Sequence, residues 1–246
     1  MIKNNIKSKG LQEERRRELI RAARKVFDEK GINAFKVKDI TDLMDIGRGT
    51  LYEYIKTKND IIYLVIEDAI LKSIRHIEKP DRKARNPVEK LKWAIHSHLE
   101  TTSANPKVLW AMFQESTPLT RWQFKRIHQL LDRYNGIFRE ILEQGGKEGV
   151  FRVEDPYLMG HSITTLLNTW VIKKSFLNYQ FSLPDYERKL SRIILQGCLN
   201  LEENRDGNLW KLGMALAEGE EERVKKTLDH RGRESTGEEA RARRLE

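Results

Sequence analysis

The sequence predicts an all-α protein. Apolar residues recur at three-to-four spacing along nearly the whole chain, and alternation with the period of a strand is almost absent. Glycine, proline or a capping residue stands at most breaks in the pattern.

The first helix is expected from about Gln12 to Lys30. Leu19, Ile20, Ala22, Ala23, Val26 and Phe27 make one apolar stripe, Arg15, Arg16, Arg17, Arg21 and Arg24 lie largely off it, and Gly31 stops it. Residues 1–10 carry Lys3, Lys7 and Lys9 and read as a basic flexible arm. A second helix fits Val37–Met44, with Val37, Ile40 and either Leu43 or Met44 facing inward. The turn Asp45-Ile46-Gly47 follows, then a short third helix from about Arg48 to Tyr54. A fourth starts at Thr57, where Thr57-Lys58-Asn59-Asp60 has the form of a capping box.

A helix as short as the third is marginal alone in water, so its neighbours must hold it. Two short helices joined by a three-residue turn containing glycine make a helix-turn-helix, whose second helix can enter the DNA major groove. In that geometry Leu51 and Ile55 point to the core with Ile46. Arg48, Thr50, Tyr52 and Tyr54 are left for the duplex, and Gly49 lets the backbone approach a phosphate. Lys58, at the start of the fourth helix, lies where unpaired N–H groups already favour an anion. With Lys38 on the second helix, these are the candidate DNA-binding residues.

The run I20-x-A-A-x-x-V-F27, Gly31, V37-K-D-I40 and G49-T-L-Y-E-Y-I-K-T-K58 resembles the DNA-binding region of the TetR family of bacterial transcriptional regulators. The resemblance covers roughly a fifth of the chain. It implies an all-helical homodimer with an N-terminal three-helix DNA-binding domain and a larger helical domain that binds a small ligand and releases DNA. Met44-Asp45-Ile46-Gly47 replaces the usual Ala-Gly-Val-Ser of the turn. Asp45 must then adopt a backbone that glycine normally supplies, and Gly47 leaves the third helix with a weaker cap.

Charge agrees with a polyanionic partner. The formal net charge is +9, and residues 1–60 hold fifteen Lys and Arg against ten Asp and Glu. No apolar stretch reaches the roughly 18 residues of a membrane span, and the opening MIKNNIKSKG has no apolar run behind it, so a cytoplasmic location is expected. The single cysteine, Cys198, forms no internal disulfide, which suits a reducing compartment.

Beyond residue 80, PDRKARNP reads as a polar linker. Asn86-Pro87 and Asn105-Pro106 each place a capping residue before a proline that opens a helix. A long helix is expected over about Thr120–Gln144, ended by Gly145-Gly146. Another runs from Asp155-Pro156 through Trp170 to about Phe176, and a last one over Pro184–Leu201. The helices at about 155–178 and 184–201 are the expected dimer pair, because the resembled family builds a four-helix bundle from its last two helices. The domains read as 1–10 arm, 11–57 helix-turn-helix, 58–201 ligand-binding and dimerisation domain with 58–79 connecting, and 202–246 a charged tail. The tail is expected to be helical around Leu209–Leu228 and disordered at its end.

Aromatic residues are dense in the second domain. Trp93, Trp110, Phe113, Trp122, Tyr134, Phe138 and Trp170, with Lys125, are the candidate lining of an apolar effector pocket. The wording Y134-x-x-I-F-x-x-I-L, then G-V-F-R152, is similar to the ligand domain of regulators of fatty-acid degradation that sense acyl-CoA. A fatty acid or acyl-CoA is accordingly the expected effector, and steric repression from a palindromic operator the expected mode.

Enzyme chemistry has little support. His96 and His98 are two apart in a helix and point to different faces, no cysteine cluster accompanies them, and no glycine-rich loop follows a strand. No cofactor or metal is expected. The alternative function is a helical protein–protein interaction module in which the helix-turn-helix is structural.

Overall fold

The computed structural model describes residues 3–79, 86–113 and 119–199, with side chains from residue 13 onward except that of Phe113. Ten helices occupy them: α1 Lys3–Lys30, α2 Val37–Met44, α3 Arg48–Tyr52, α4 Lys58–Ile77, α5 Pro87–Ala104, α6 Pro106–Phe113, α7 Arg121–Lys147, α8 Pro156–Ile172, α9 Lys174–Leu177 and α10 Leu183–Cys198. Among the described residues the one extended pairing is an isolated bridge between Phe151 and Leu199. The fold is all-α, with an N-terminal helix-turn-helix and a helical C-terminal part. Among the described residues no helix is long and apolar enough to cross a membrane. The tail, with its expected helix, and residues 80–85 of the linker lie outside the described residues.

Spatially the described residues fall into two compact units. One takes residues up to 79, 97–137 and 168–173; the other takes the rest, so α5, α7 and α8 each contribute to both. In the first unit α1 lays Leu19, Ala23, Val26 and Phe27 against α2 and α4, which answer with Ile40, Ile61, Val65 and Ile66. Phe35, in the connection between α1 and α2, sets its ring 4.8 Å from that of Phe27 at an interplanar angle of 54°. Burying such side chains stabilises by about 1.5–3 kcal/mol each, which is what fixes the short helices α2 and α3. Val37 and Met44 are half-buried and Leu43 is exposed, so Met44 is the inward residue of that pair.

In the second unit Leu91, Ile95, Phe138, Leu142, Ile163, Leu167, Ile194 and Leu195 form the core. The Tyr186 hydroxyl donates to the Leu166 carbonyl at 3.1 Å, tying α10 to α8. Lys90 donates to Gln144 at 2.8 Å and the Arg152 amide to the Cys198 carbonyl at 2.8 Å. The Cys198 thiol is wholly buried, which pushes its pKa up to about 11 and keeps it protonated.

Several boundaries follow local chemistry. Asn86 accepts the Glu89 amide at 2.9 Å, Asp155 accepts the Leu158 amide at 3.0 Å, and Ser182 accepts the Asp185 amide. Three expectations need correction. The arm expected to be flexible is helical from Lys3, because residues 3–12 hold no proline and Gly10 costs only about 1 kcal/mol in a helix anchored further on. The long helix α7 does not stop at Gly145-Gly146 but continues to Lys147, and Gly149, at φ 70°, turns the chain. Gly145 is glycine for another reason: the Phe151 ring lies on it, with Cδ2 2.1 Å from where a Cβ would stand. Asn105 does not cap α6; its amide donates to the Thr101 carbonyl and its oxygen accepts from Arg24 at 2.6 Å.

Candidate nucleic-acid interface

The candidate interface comprises α2, the turn and α3, with the start of α4 following them. Lys36 precedes α2 in extended conformation and its side chain offers no acceptor, so Asp39 takes over the side-chain capping from inside the helix. Its carboxylate accepts the Lys36 amide at 2.8 Å and the Lys30 ammonium at 2.7 Å. The Lys30 bond first, then the Lys36 amide, holds the Asp39 carboxyl below the usual range. Lys38 is exposed on the same helix.

At the other end Asp45 adopts the left-handed conformation, φ 51° and ψ 46°, and the Ile46 amide returns to the Thr41 carbonyl at 3.2 Å. This closure is the sharp turn of the motif, with aspartate where glycine would be free of strain. Gly47 then caps α3 with φ −70°, an ordinary value, and no side-chain bond.

One turn of α3 sorts its residues by burial. Leu51 is fully buried and Ile55 nearly so, while Arg48, Gly49, Thr50 and Tyr52 are exposed. Nothing lies within 4 Å of the place a Cβ on Gly49 would take, so its face is open. Tyr54 departs from the expected set. It is half-buried and lines a groove of about 510 Å³ with Arg16, Leu19, Glu53, Tyr63, Leu64, Glu67 and Trp122. The reason is that α3 ends at Tyr52, and the turn that follows swings Tyr54 off the face of Arg48 and Tyr52.

Lys58 opens α4, its ammonium 3.3 Å from the Asn33 carbonyl and 4.2 Å above the Phe35 ring. Thr57 caps this helix by accepting the Asp60 amide at 3.3 Å, and Asp60 reciprocates by accepting the amides of Lys56 and Thr57, each at 2.8 Å. Its second oxygen accepts the Gln123 side-chain amide at 2.7 Å. Burial works against the Asp60 charge, but the Thr57, Lys56 and Gln123 bonds outweigh it and hold the carboxyl below the usual range. The capping box was legible from spacing; Gln123, sixty-three residues away, had no local signal.

The candidate effector residues are drawn from both units. In the first unit Trp110, Trp122 and Lys125 are exposed, whereas Tyr134 and Trp170 are buried. Tyr134 belongs to a polar group that the sequence did not reveal: its hydroxyl meets His98 Nδ1 at 2.9 Å, and His98 Nε2 meets Asn168 Oδ1 at 3.0 Å. Trp93 and Phe138 belong to the second unit, the former half-buried and the latter fully buried. The Phe113 side chain is outside the described residues. His96, as the spacing required, looks elsewhere from His98 and pairs with Glu187 at 3.0 Å.

Comparison with known proteins agrees with this geometry. Residues 19–63 match the family model of bacterial regulatory proteins of the tetR family, and residues 84–172 match that of the tetracyclin repressor-like C-terminal domain. The HTH-type transcriptional regulator HbdR of Aromatoleum sp. (strain CIB) is 23% identical over 185 residues, covering 75% of this chain and 81% of that protein. Among solved structures, a TetR/AcrR-family regulator from Thermobifida fusca aligns with TM-score 0.65 at 18% identity, over 75% of this chain and 98% of that one. FadR from Bacillus subtilis, in complex with stearoyl-CoA, aligns with TM-score 0.63 at 21% identity, over 73% and 97%.

Proposed function

The chain belongs to the TetR family of bacterial transcriptional regulators, and from that premise we infer that it binds a palindromic operator as a homodimer and is released by an apolar effector. The observation that carries the DNA reading is the sorting on α3: Arg48, Thr50 and Tyr52 stand in solvent on a helix whose Leu51 is fully buried. A one-turn helix with its polar face outward gains nothing from water that a loop would not, whereas in a major groove it presents hydrogen-bonding groups to base edges.

In this reading Arg48 reads a base, and Tyr52, the Gly49 backbone, Thr50, Lys38 and Lys58 contact phosphate. Tyr54 joins them only if DNA draws it out of its groove. Residues 11–57 act as the DNA-binding domain, and 58–201, with 58–79 connecting, as the effector and dimerisation domain. The dimer forms through α8 and α10, which expose Tyr157, Leu158, Leu166 and Ile193. A two-fold protein on a promoter blocks polymerase sterically, which makes repression the simplest output.

For the effector we propose a fatty acid or acyl-CoA, which the likeness in fold to a stearoyl-CoA complex supports. The test is fluorescence anisotropy on a duplex that the protein selects, titrated with acyl-CoA of increasing chain length and with free coenzyme A. Release that strengthens with chain length and is absent with coenzyme A supports the assignment; equal response to all of them sinks it.

A further inference from the structure

Three contacts join the start of α7 to one face of α4. Gln123, nearly wholly buried, donates to Asp60 at 2.7 Å; Trp122 sets its ring edge-on to Tyr63 with centroids 5.0 Å apart; and Arg126 donates to Glu67 at 3.2 Å. Positions 60, 63 and 67 are three and four apart, so they form one stripe along α4. The N-terminal end of that stripe reaches the candidate interface, and its other end ties α4 to α1 and α7. Asp60 is the residue that accepts the Lys56 and Thr57 amides and so shapes the turn that presents Lys58. Glu67, a carboxylate only 6% exposed, also accepts from Arg16 of α1 at 2.5 Å and from the Tyr63 hydroxyl at 2.8 Å.

A buried carboxylate requires compensating partners, and its partners here come from α1, α4 and α7 at once. Glu67 therefore fixes three helices to one another, and removing one donor leaves a charge that must find water or move. The Gln123 amide is similarly committed: its oxygen accepts the Thr120 amide at 2.9 Å, so the group cannot turn without breaking both bonds.

We propose that Gln123, Trp122 and Arg126 are positioning residues for DNA binding, forming a clamp through which α7 sets the first turn of α4 and, with it, the Lys58 anchor. The proposal rests on the DNA-binding reading and deepens it by naming residues outside the helix-turn-helix that hold its anchor in place. None of the three needs to touch DNA.

A phosphate contact and a positioning contact differ in salt dependence, since losing one phosphate contact lowers the log–log salt slope by about 1. The experiment compares the full-length chain with Gln123→Ala, Arg126→Ala and Lys58→Ala. Amide exchange is followed over residues 56–61 in the free protein, and affinity for the selected duplex is followed against salt.

The clamp predicts that Gln123→Ala and Arg126→Ala speed exchange over 56–61 about tenfold and weaken selective binding about tenfold, with the salt slope unchanged. Lys58→Ala lowers the slope by about 1. Since Arg126 is half exposed, its variant keeps the test valid should Gln123→Ala unfold. Wild-type exchange and affinity in the Arg126 variant overturn the proposal, as does a lowered salt slope. If the wild-type chain selects no duplex, the DNA-binding reading fails, and the positioning role with it; exchange in the free protein still decides whether the clamp holds the turn.

Discussion

Tyr134 donates its hydroxyl to Nδ1 of His98 at 2.9 Å, and the imidazole meets Asn168 Oδ1 with its other nitrogen at 3.0 Å. With Asn168 presenting oxygen, the proton sits on Nε2 and Nδ1 accepts. The ring is neutral, and burial lowers its pKa from 6.5 to about 4 against the opposing effect of Asn168. A depressed histidine gives stability that is full above the unfolded pKa and fades as pH falls toward the folded one. Unfolding free energy should therefore drop by on the order of 2–3 kcal/mol between about pH 6.5 and 4, over and above the carboxylates' contribution. Urea titrations across that window measure it, and His98→Leu should flatten the drop.

Gly145 and Gly146 should respond oppositely to alanine. At Gly145 the new methyl meets the Phe151 ring, and overpacking should cost about 1–3 kcal/mol. At Gly146 the nearest atom is the Phe151 carbonyl oxygen at 3.9 Å, an ordinary contact, so the gain in helix propensity should stabilise by up to about 1 kcal/mol. Thermal midpoints of the two variants decide it; equal effects would contradict the packing described.

The proposed DNA contacts divide by kind. Arg48→Ala should cost about 1–3 kcal/mol and relax preference at one base pair. Tyr52→Phe and Lys58→Ala should weaken all duplexes alike. Affinity for a panel of single-base variants of the selected site separates the two patterns.

Ile193 is 60% exposed on α10, one of the apolar side chains assigned to the proposed dimer contact. If the proposed dimer forms through α8 and α10, Ile193→Glu should convert it to monomer, read by sedimentation, and should abolish binding to a two-fold site while leaving the far-UV spectrum unchanged. An unaltered dimer would move the interface elsewhere.

Much of the fold was legible because its signals are local. The bounds of α2, the Thr57 cap, and the helix starts at Asn86-Pro87 and Asp155-Pro156 depend on residues within one turn of each other. The left-handed Asp45 was expected from the resemblance, which places a glycine at that position of the turn. What was missed depends on distance in sequence. Gly145 looked like a stop because Phe151 was not known to lie on it, and Asn105 looked like a cap because Arg24 was out of view. For the DNA site the motif named the exposed face, but not the shortness of α3 that turns Tyr54 inward. The aromatic effector candidates were chosen by ring chemistry and Lys125 by its charge, neither of which tells buried Trp170 from exposed Trp122. The His98–Tyr134–Asn168 group, spread over three helices, left no sequence trace.

The measurement that tests the central claim most directly is selection from random duplex DNA by the full-length protein, at stated moderate salt and with excess nonspecific competitor. The account predicts enrichment of a two-fold symmetric site whose preference at one position in each half weakens in Arg48→Ala. No enrichment from protein stripped of any co-purified ligand, or a site indifferent to Arg48, Tyr52 and Lys58 together, would contradict it.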